Sequence, residues 1–284
     1  MKKKIYLLIF LSVAGLNSFA QLSAVDYKSD EYASFKASKT YFVKTGNDRF
    51  DTEVENALKD LWKVTSFEVI NDNEFKTKIK DKATSYILPV IISTGKPNQD
   101  YHYLALVNGG VKSVSHYNYN DMLAYCPINH FQNEMKNTDC AYRVRNMIES
   151  MVSTMEIVQK NDIRGNSKKI VDRLMEVYNL KAPQIKDRTL LFCNETLGRK
   201  ITQADIAGIY PYKFELCDRN KIEQVIKDKS KEYYYFQPTI TLNKSMFVFD
   251  PSNGDVLYGA YQMMGLNINK GNLEDLAKAV KGKK

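Results

Sequence analysis

FEVINDNEFKTKIKDKATSY, residues 67–86, and FELCDRNKIEQVIKDKSKEY, residues 214–233, align without a gap at an offset of 147. Eight of the twenty positions are identical: Phe67, Glu68, Asn73, Ile79, Lys80, Asp81, Lys82 and Tyr86 recur as Phe214, Glu215, Asn220, Ile226, Lys227, Asp228, Lys229 and Tyr233. Average residue usage would give roughly one or two matches in such a window. Some of the agreement is what any two capped, half-buried helices share, since caps favour asparagine and buried faces favour isoleucine. The Phe-Glu pair, the Ile-Lys-Asp-Lys run and the matching order of elements have no such general cause. They imply a duplicated module.

Working outward, each copy reads as strand, helix, strand, helix, then further strands. In the first, 40–44 (TYFVK) is β-rich, and Val54, Leu58, Leu61 and Trp62 follow at helical spacing. Residues 67–70 form a second strand, Asn73 stands where a helix cap belongs, and 86–93 form a third strand. Residues 101–107 and 111–117 read as a hairpin around Asn108-Gly109-Gly110. The second copy runs through 189–193, a helix over 201–209, the strand 214–217, a helix capped by Asn220, and the strand 233–242. A hairpin then turns through Asp250–Asp255 into 256–261, and a helix over 273–280 closes the chain. Pro89 and Pro238 fall inside the two third strands, which predicts an edge or a bulge there. Between the copies, Val144, Met147, Ile148, Met151, Val152, Met155 and Val158 form one apolar helical stripe, and Val171, Leu174, Met175 and Tyr178 another. The fold class is thus α/β of the α+β type: two related βαβαββ modules with mixed sheets, joined and packed by amphipathic helices. The boundaries are a signal peptide over 1–20, an extension over 21–38, a first module over 39–118, a helical connection over 119–186 and a second module over 187–284.

Lys2, Lys3 and Lys4, the apolar run 5–16 and the small residues Ser18 and Ala20 before Gln21 have the pattern of a cleaved export signal. The apolar run is too short for a spanning helix, so the mature chain is expected to have no transmembrane segment. Removing the signal lysines takes the formal charge from +8 to +5, a mild balance that favours solubility over a nucleic-acid partner. The expected location is the periplasm or the exterior, with attachment to the outer membrane only through a partner. An oxidising compartment permits disulfides among Cys126, Cys140, Cys193 and Cys217. Cys126 and Cys140 are close in sequence, while Cys193 and Cys217 end two strands that could be neighbours. Four cysteines allow three pairings, and the sequence does not choose among them.

The second copy, KFELCDRNKIEQVIKDK, then YYYFQPTITL, then FVFDPSNGDVLYG, resembles the α/β envelope module found in the translocation protein TolB and the curli secretion lipoprotein CsgG. In that group a strand ends in a polar D-R step before a capped helix, and a late hairpin turns through D-x-x-x-G-x-V. Asp218-Arg219 and residues 250–256 occupy those places, while Asn71-Asp72 and Asn108-Gly109-Gly110 occupy them less closely in the first copy. The resemblance covers about two thirds of the mature chain. It lacks the β-propeller of TolB, and the lipid-anchor cysteine and membrane hairpins of CsgG, so pore formation is not carried over. It implies a non-catalytic module that works through contacts with an envelope protein partner.

His102, His116 and His130 are spaced by fourteen residues, whereas metal ligands usually pair two to five residues apart. His102 and His116 remain the metal candidates, through paired hairpin strands. Cys126 with His130 lacks any signature of thiol catalysis, and Met147, Met151 and Met155 read as core. No G-x-S-x-G, phosphate-binding glycine loop or H-E-x-x-H occurs, and no motif calls for a cofactor. The best ligand candidates come from topology: Asn194, Glu195, Asp218 and Arg219 should gather beyond the carboxyl ends of the second module's strands. The expected function is a non-enzymatic binding or assembly module of the cell envelope. The alternative is a hydrolase or small-ligand binder using that strand-end cleft.

Overall fold

The computed structural model describes residues 29–92, 101–113, 117, 122–128, 140–161, 163, 167–197, 201–240, 243–263 and 267–282. After a short helix α1 (Ser29–Lys36), the first module runs β1 (Lys39–Val43), α2 (Asp48–Leu61), β2 (Phe67–Ile70), α3 (Asp72–Lys78), β3 (Thr84–Ile92), β4 (Tyr101–Asn108) and β5 (Met122–Pro127). Two helices follow, α4 (Val144–Lys160) and α5 (Ser167–Asn179), then a 3-10 segment at Ala182–Asp187. The second module runs β6 (Thr189–Cys193), α6 (Asn194–Leu197), α7 (Gln203–Ile209), β7 (Phe214–Cys217), α8 (Arg219–Lys227), β8 (Tyr233–Ile240), β9 (Asn243–Phe249), β10 (Val256–Met263) and α9 (Lys270–Lys281).

The sheets have the orders β2-β1-β3-β4-β5 and β7-β6-β8-β9-β10, the same order of corresponding strands. In each, the first three strands pair in parallel and the rest antiparallel. The mixed sheets of the predicted fold class are therefore present twice, and the register makes the repeat explicit. Thr40 pairs with Phe67 and Ser85, and Leu190 pairs with Phe214 and Tyr234. Phe67-Glu68 and Phe214-Glu215 are thus true equivalents. Tyr86 is the counterpart of Tyr235, two places beyond the Tyr233 that the ungapped alignment selects, because α8 is two residues longer than α3.

Three local expectations change. The helix caps are Asn71 and Asp218, not Asn73 and Asn220: Asn71 Oδ1 accepts from the backbone N–H groups of Asn73 and Glu74, and Asp218 Oδ1 from that of Lys221. Both caps sit at the last position before the helix, where a short side chain can reach the free amides. The strand paired with β4 is Met122–Pro127, not 111–117, so the first sheet extends into the stretch assigned to the helical connection. The apolar run MLAYC can fill a covered sheet position, and residues 122–126 are all buried. Pro89 and Pro238 are counterparts by register and lie on central strands, not edges. Each stands two residues past the last residue of its own strand that pairs with the neighbouring parallel strand, Ile87 and Phe236, so the missing N–H interrupts no parallel ladder.

The apolar residues sort into layers. Alternation along β1 sends Phe42 to one face and Tyr41 and Val43 to the other. α3 covers the outer face of the first sheet with Phe75 and Ile79, and α7 and α9 cover the outer face of the second with Ile206, Leu273, Leu276 and Val280. Between the sheets one shared core takes Phe35 of α1, Val54 and Leu58 of α2, Met147 and Met151 of α4, Leu174 of α5 and Val225 of α8. The result is an α/β/α/β/α stack with a helical layer at the seam between modules.

Candidate functional site

The parallel strands β6 and β7 end side by side, with Cys193 and Cys217 as registered partners. The chain leaves them into α6 and α8, so Asn194, Glu195, Asp218 and Arg219 do gather at one end of the second sheet. Two of the four pair with each other. Arg219 Nε lies 3.2 Å from Glu195 Oε2 in a half-exposed ion pair, and Asp218 caps α8 through a 3.0 Å bond from Lys221 N–H. Asn194 is exposed at the start of α6. A solvated pair of this kind contributes little to stability.

The four cysteines are buried thiols within the shared core. Burial pushes the Cys126 and Cys217 thiols up to about 12 and also raises Cys193, which suppresses the nucleophilic thiolate. Cys217 Sγ donates to the Phe192 carbonyl at 3.7 Å. His102 lies on β4 opposite Ile91, while His116 and His130 fall outside the described residues. Among the described residues, no three or more His, Cys, Asp or Glu side chains are grouped to hold a metal.

The structure adds a polar seam that sequence reasoning missed. The apolar stripe of α4 packs as expected, but its opposite face is also buried, with Asn146, Glu149, Ser150 and Thr154 turned inward. Arg143, just before the helix, donates to the Ile128 carbonyl at 3.0 Å. Thr154 Oγ1 and the Tyr178 hydroxyl are 2.7 Å apart, tying α4 to α5. Asn146 Nδ2 donates to the Asp250 carbonyl at 3.4 Å, joining α4 to the β9–β10 turn of the second module. A signal was available in composition. Asn146, Ser150 and Thr154 are short and uncharged at four-residue spacing, whereas solvated helix faces in this chain carry Lys and Glu.

Glu149 is the most perturbed acid of the seam. Burial drives its carboxyl up to about 7, the Asp250 charge adds to the rise, and Arg145 and Lys229 oppose it. Arg145 Nε stands 3.2 Å from Glu149 Oε1 without hydrogen-bond alignment, while Arg145 bonds Asp60 of α2 at 2.8 Å. Glu149 Oε2 is buried without a hydrogen-bond partner among the described residues. The turn it faces is held from below: Arg188 bonds Asp250 Oδ2 and Lys181 bonds Asp255 Oδ2, both at 3.0 Å, and the Arg188 guanidinium lies 4.5 Å from the Tyr234 ring centre. The late hairpin motif D-P-S-N-G-D thus serves to dock one module onto the other.

The sheet margins differ. Asn179 at the end of α5 bonds both backbone groups of Gly259, accepting at 2.9 Å and donating at 3.1 Å, and so mimics a strand partner along β10. Residues 122–126 of β5 are buried. The opposite margins, β2 and β7, are four-residue strands that are mostly half exposed, with Glu68 exposed and its equivalent Glu215 partly so. Comparison of the chain with family models, with curated proteins and with solved structures finds no match.

Proposed function

We propose that the protein is an exported, non-enzymatic binding or assembly module of the cell envelope that engages a protein partner along β2 or β7. The observation that carries this reading is the asymmetry of the margins. The same strand of each repeat stands partly open, while β10 is stopped by an asparagine and β5 is buried. An open margin offers backbone donors and acceptors to an extended segment, and alternate side chains supply specificity. Both margins are short and carry a glutamate, features that restrain promiscuous pairing. The half-exposed Glu195–Arg219 pair lies at the carboxyl end of the second margin and would orient a partner that reached it. The export pattern of residues 1–20 and the resemblance of the second module to the TolB and CsgG envelope module are consistent with this setting.

Photo-crosslinking residues at positions 68 and 215, with position 274 on exposed α9 as the control, test the proposal in the native cells. One envelope protein captured from an edge position and not from the control is expected. Equal capture from every position, or substrate turnover by the purified chain without any edge adduct, would overturn it.

A further inference from the structure

We infer that Cys193 and Cys217 form a disulfide in the exported protein, tying β7 to β6 at the carboxyl end of the second sheet. The inference rests on the export proposed above. Register is the first ground: the two residues are direct partners on adjacent parallel strands. Neighbouring strands lie about 4.8 Å apart, within the roughly 4.4–6.8 Å between α-carbons that a disulfide spans. Both side chains enter the same core, so they leave the sheet on the same face.

The repeat supplies the second ground. The counterparts of this pair in the first module are Val43 and Ile70, which are registered partners on β1 and β2. They are ordinary buried aliphatic residues. In the second module both members of the contacting pair are cysteine, in a chain that has four cysteines among 284 residues. A single buried thiol could replace a valine for packing alone. Replacement at both positions of one contact produces a cross-link site. The location also matters, because β7 has four residues and, among the described residues, only β6 beside it in the sheet. A covalent tie at Cys217 holds the register of that margin immediately before the Asp218 cap.

One cysteine loses its proton, and its thiolate attacks a disulfide of an exported thiol oxidoreductase or of oxidised glutathione, expelling one sulfur as a thiolate. The second cysteine thiolate then attacks the protein-side sulfur of the mixed disulfide and releases the other carrier sulfur. Two protein thiols are oxidised and one carrier disulfide is reduced. Since burial suppresses both thiolates in the closed structure, exchange belongs to the stage of folding before the seam closes. Cys126 and Cys140, in the same core, are the competing partners.

The test uses the full mature chain, both recovered from exporting cells and refolded from the reduced, unfolded state in a glutathione redox buffer. Free thiols are alkylated, the chain is digested without reductant, and linked peptides are identified by mass. The expected result is a Cys193–Cys217 peptide in both samples. The double variant Cys193→Val with Cys217→Ile, which installs the first module's pair, should fold and show a smaller drop in melting midpoint on reduction than the parent. Alkylation of both residues in the refolded chain, or their linkage to Cys126 or Cys140, overturns the inference. A linked pair after refolding with free thiols in cells overturns the export on which it rests and leaves the pairing standing.

Discussion

Glu149 carries the largest electrostatic consequence of the seam. A buried carboxyl resists ionisation, and here Arg145 and Lys229 only partly offset that cost. Its folded pKa of about 7 lies above the ordinary 4.5, so between those values the native state holds a proton that the unfolded chain releases. The group's favourable contribution is therefore intact below about pH 4.5 and falls away as pH rises towards 7. Glu149→Gln keeps the shape without the titration. It should match the parent at pH 4 and exceed it at pH 8 by up to the order of 3 kcal/mol in denaturant unfolding. A variant weaker than the parent at pH 8 would mean that the pairing with Arg145 and Lys229 outweighs burial. Two glycines supply a second residue-level test. Gly46 and Gly254 both have positive φ, but a Cβ on Gly46 meets nothing within 4 Å, whereas one on Gly254 would come within 2.3 Å of Glu149 Cβ. Gly46→Ala should cost about 1 kcal/mol for the backbone alone. Gly254→Ala adds the clash and should cost roughly 2–4 kcal/mol, read as a larger fall in unfolding midpoint. Equal losses would show that the turn can back away from α4.

At the scale of elements, α4 and α9 close corresponding modules in different settings. Each follows its sheet's last strand and packs beside the first crossover helix, α2 or α7. α9 then keeps a charged outer face, with Glu274, Asp275 and Lys278 exposed, while the first half of α4 is buried on both sides. Periodicity made both helices legible because it reports the apolar stripe. It does not report what covers the opposite face, so the burial of Asn146, Glu149 and Ser150 was not legible from it. The strands show the same division. The Phe-Glu repeat located β2 and β7 as the second strand of each module. The partner of β4 was misplaced, because the glycine turn at 108–110 looked like a hairpin. In the structure Gly109 and Gly110 donate back to Thr84 and Ile79 at 2.8 Å. Local turn chemistry was right in kind and wrong in destination. Strand order places 194–195 and 218–219 at one end of the second sheet, but the Glu195–Arg219 pair depends on side-chain reach that strand order does not specify.

For the molecule as a whole, the modules meet head to tail. Phe42 and Phe192 are counterparts by register, yet Phe42 faces the shared seam and Phe192 the outer core. The seam therefore joins the α2–α4 face of the first module to the α8 face of the second, two different surfaces of one fold, and Arg49 and Glu223 pair across it. Duplication was readable in the sequence, but this arrangement was not, since each repeat carries two apolar faces and the pattern does not say which is turned inward. The consequence is thermodynamic. Leu191, Tyr235, Phe247 and Phe249 of the second module belong to the same core as Val54 and Leu58 of the first. Exposing aromatic and aliphatic side chains of this kind costs on the order of 2 kcal/mol each. Neither module can keep its seam face covered alone, so the chain should unfold in a single cooperative transition, with fluorescence and circular dichroism tracing coincident curves. A fragment spanning 187–284 should retain secondary structure yet lack a sharp transition and bind a hydrophobic dye. Two separated transitions in the intact chain, or a sharply melting fragment that excludes the dye, would show that the seam is a contact between independent domains rather than a common core.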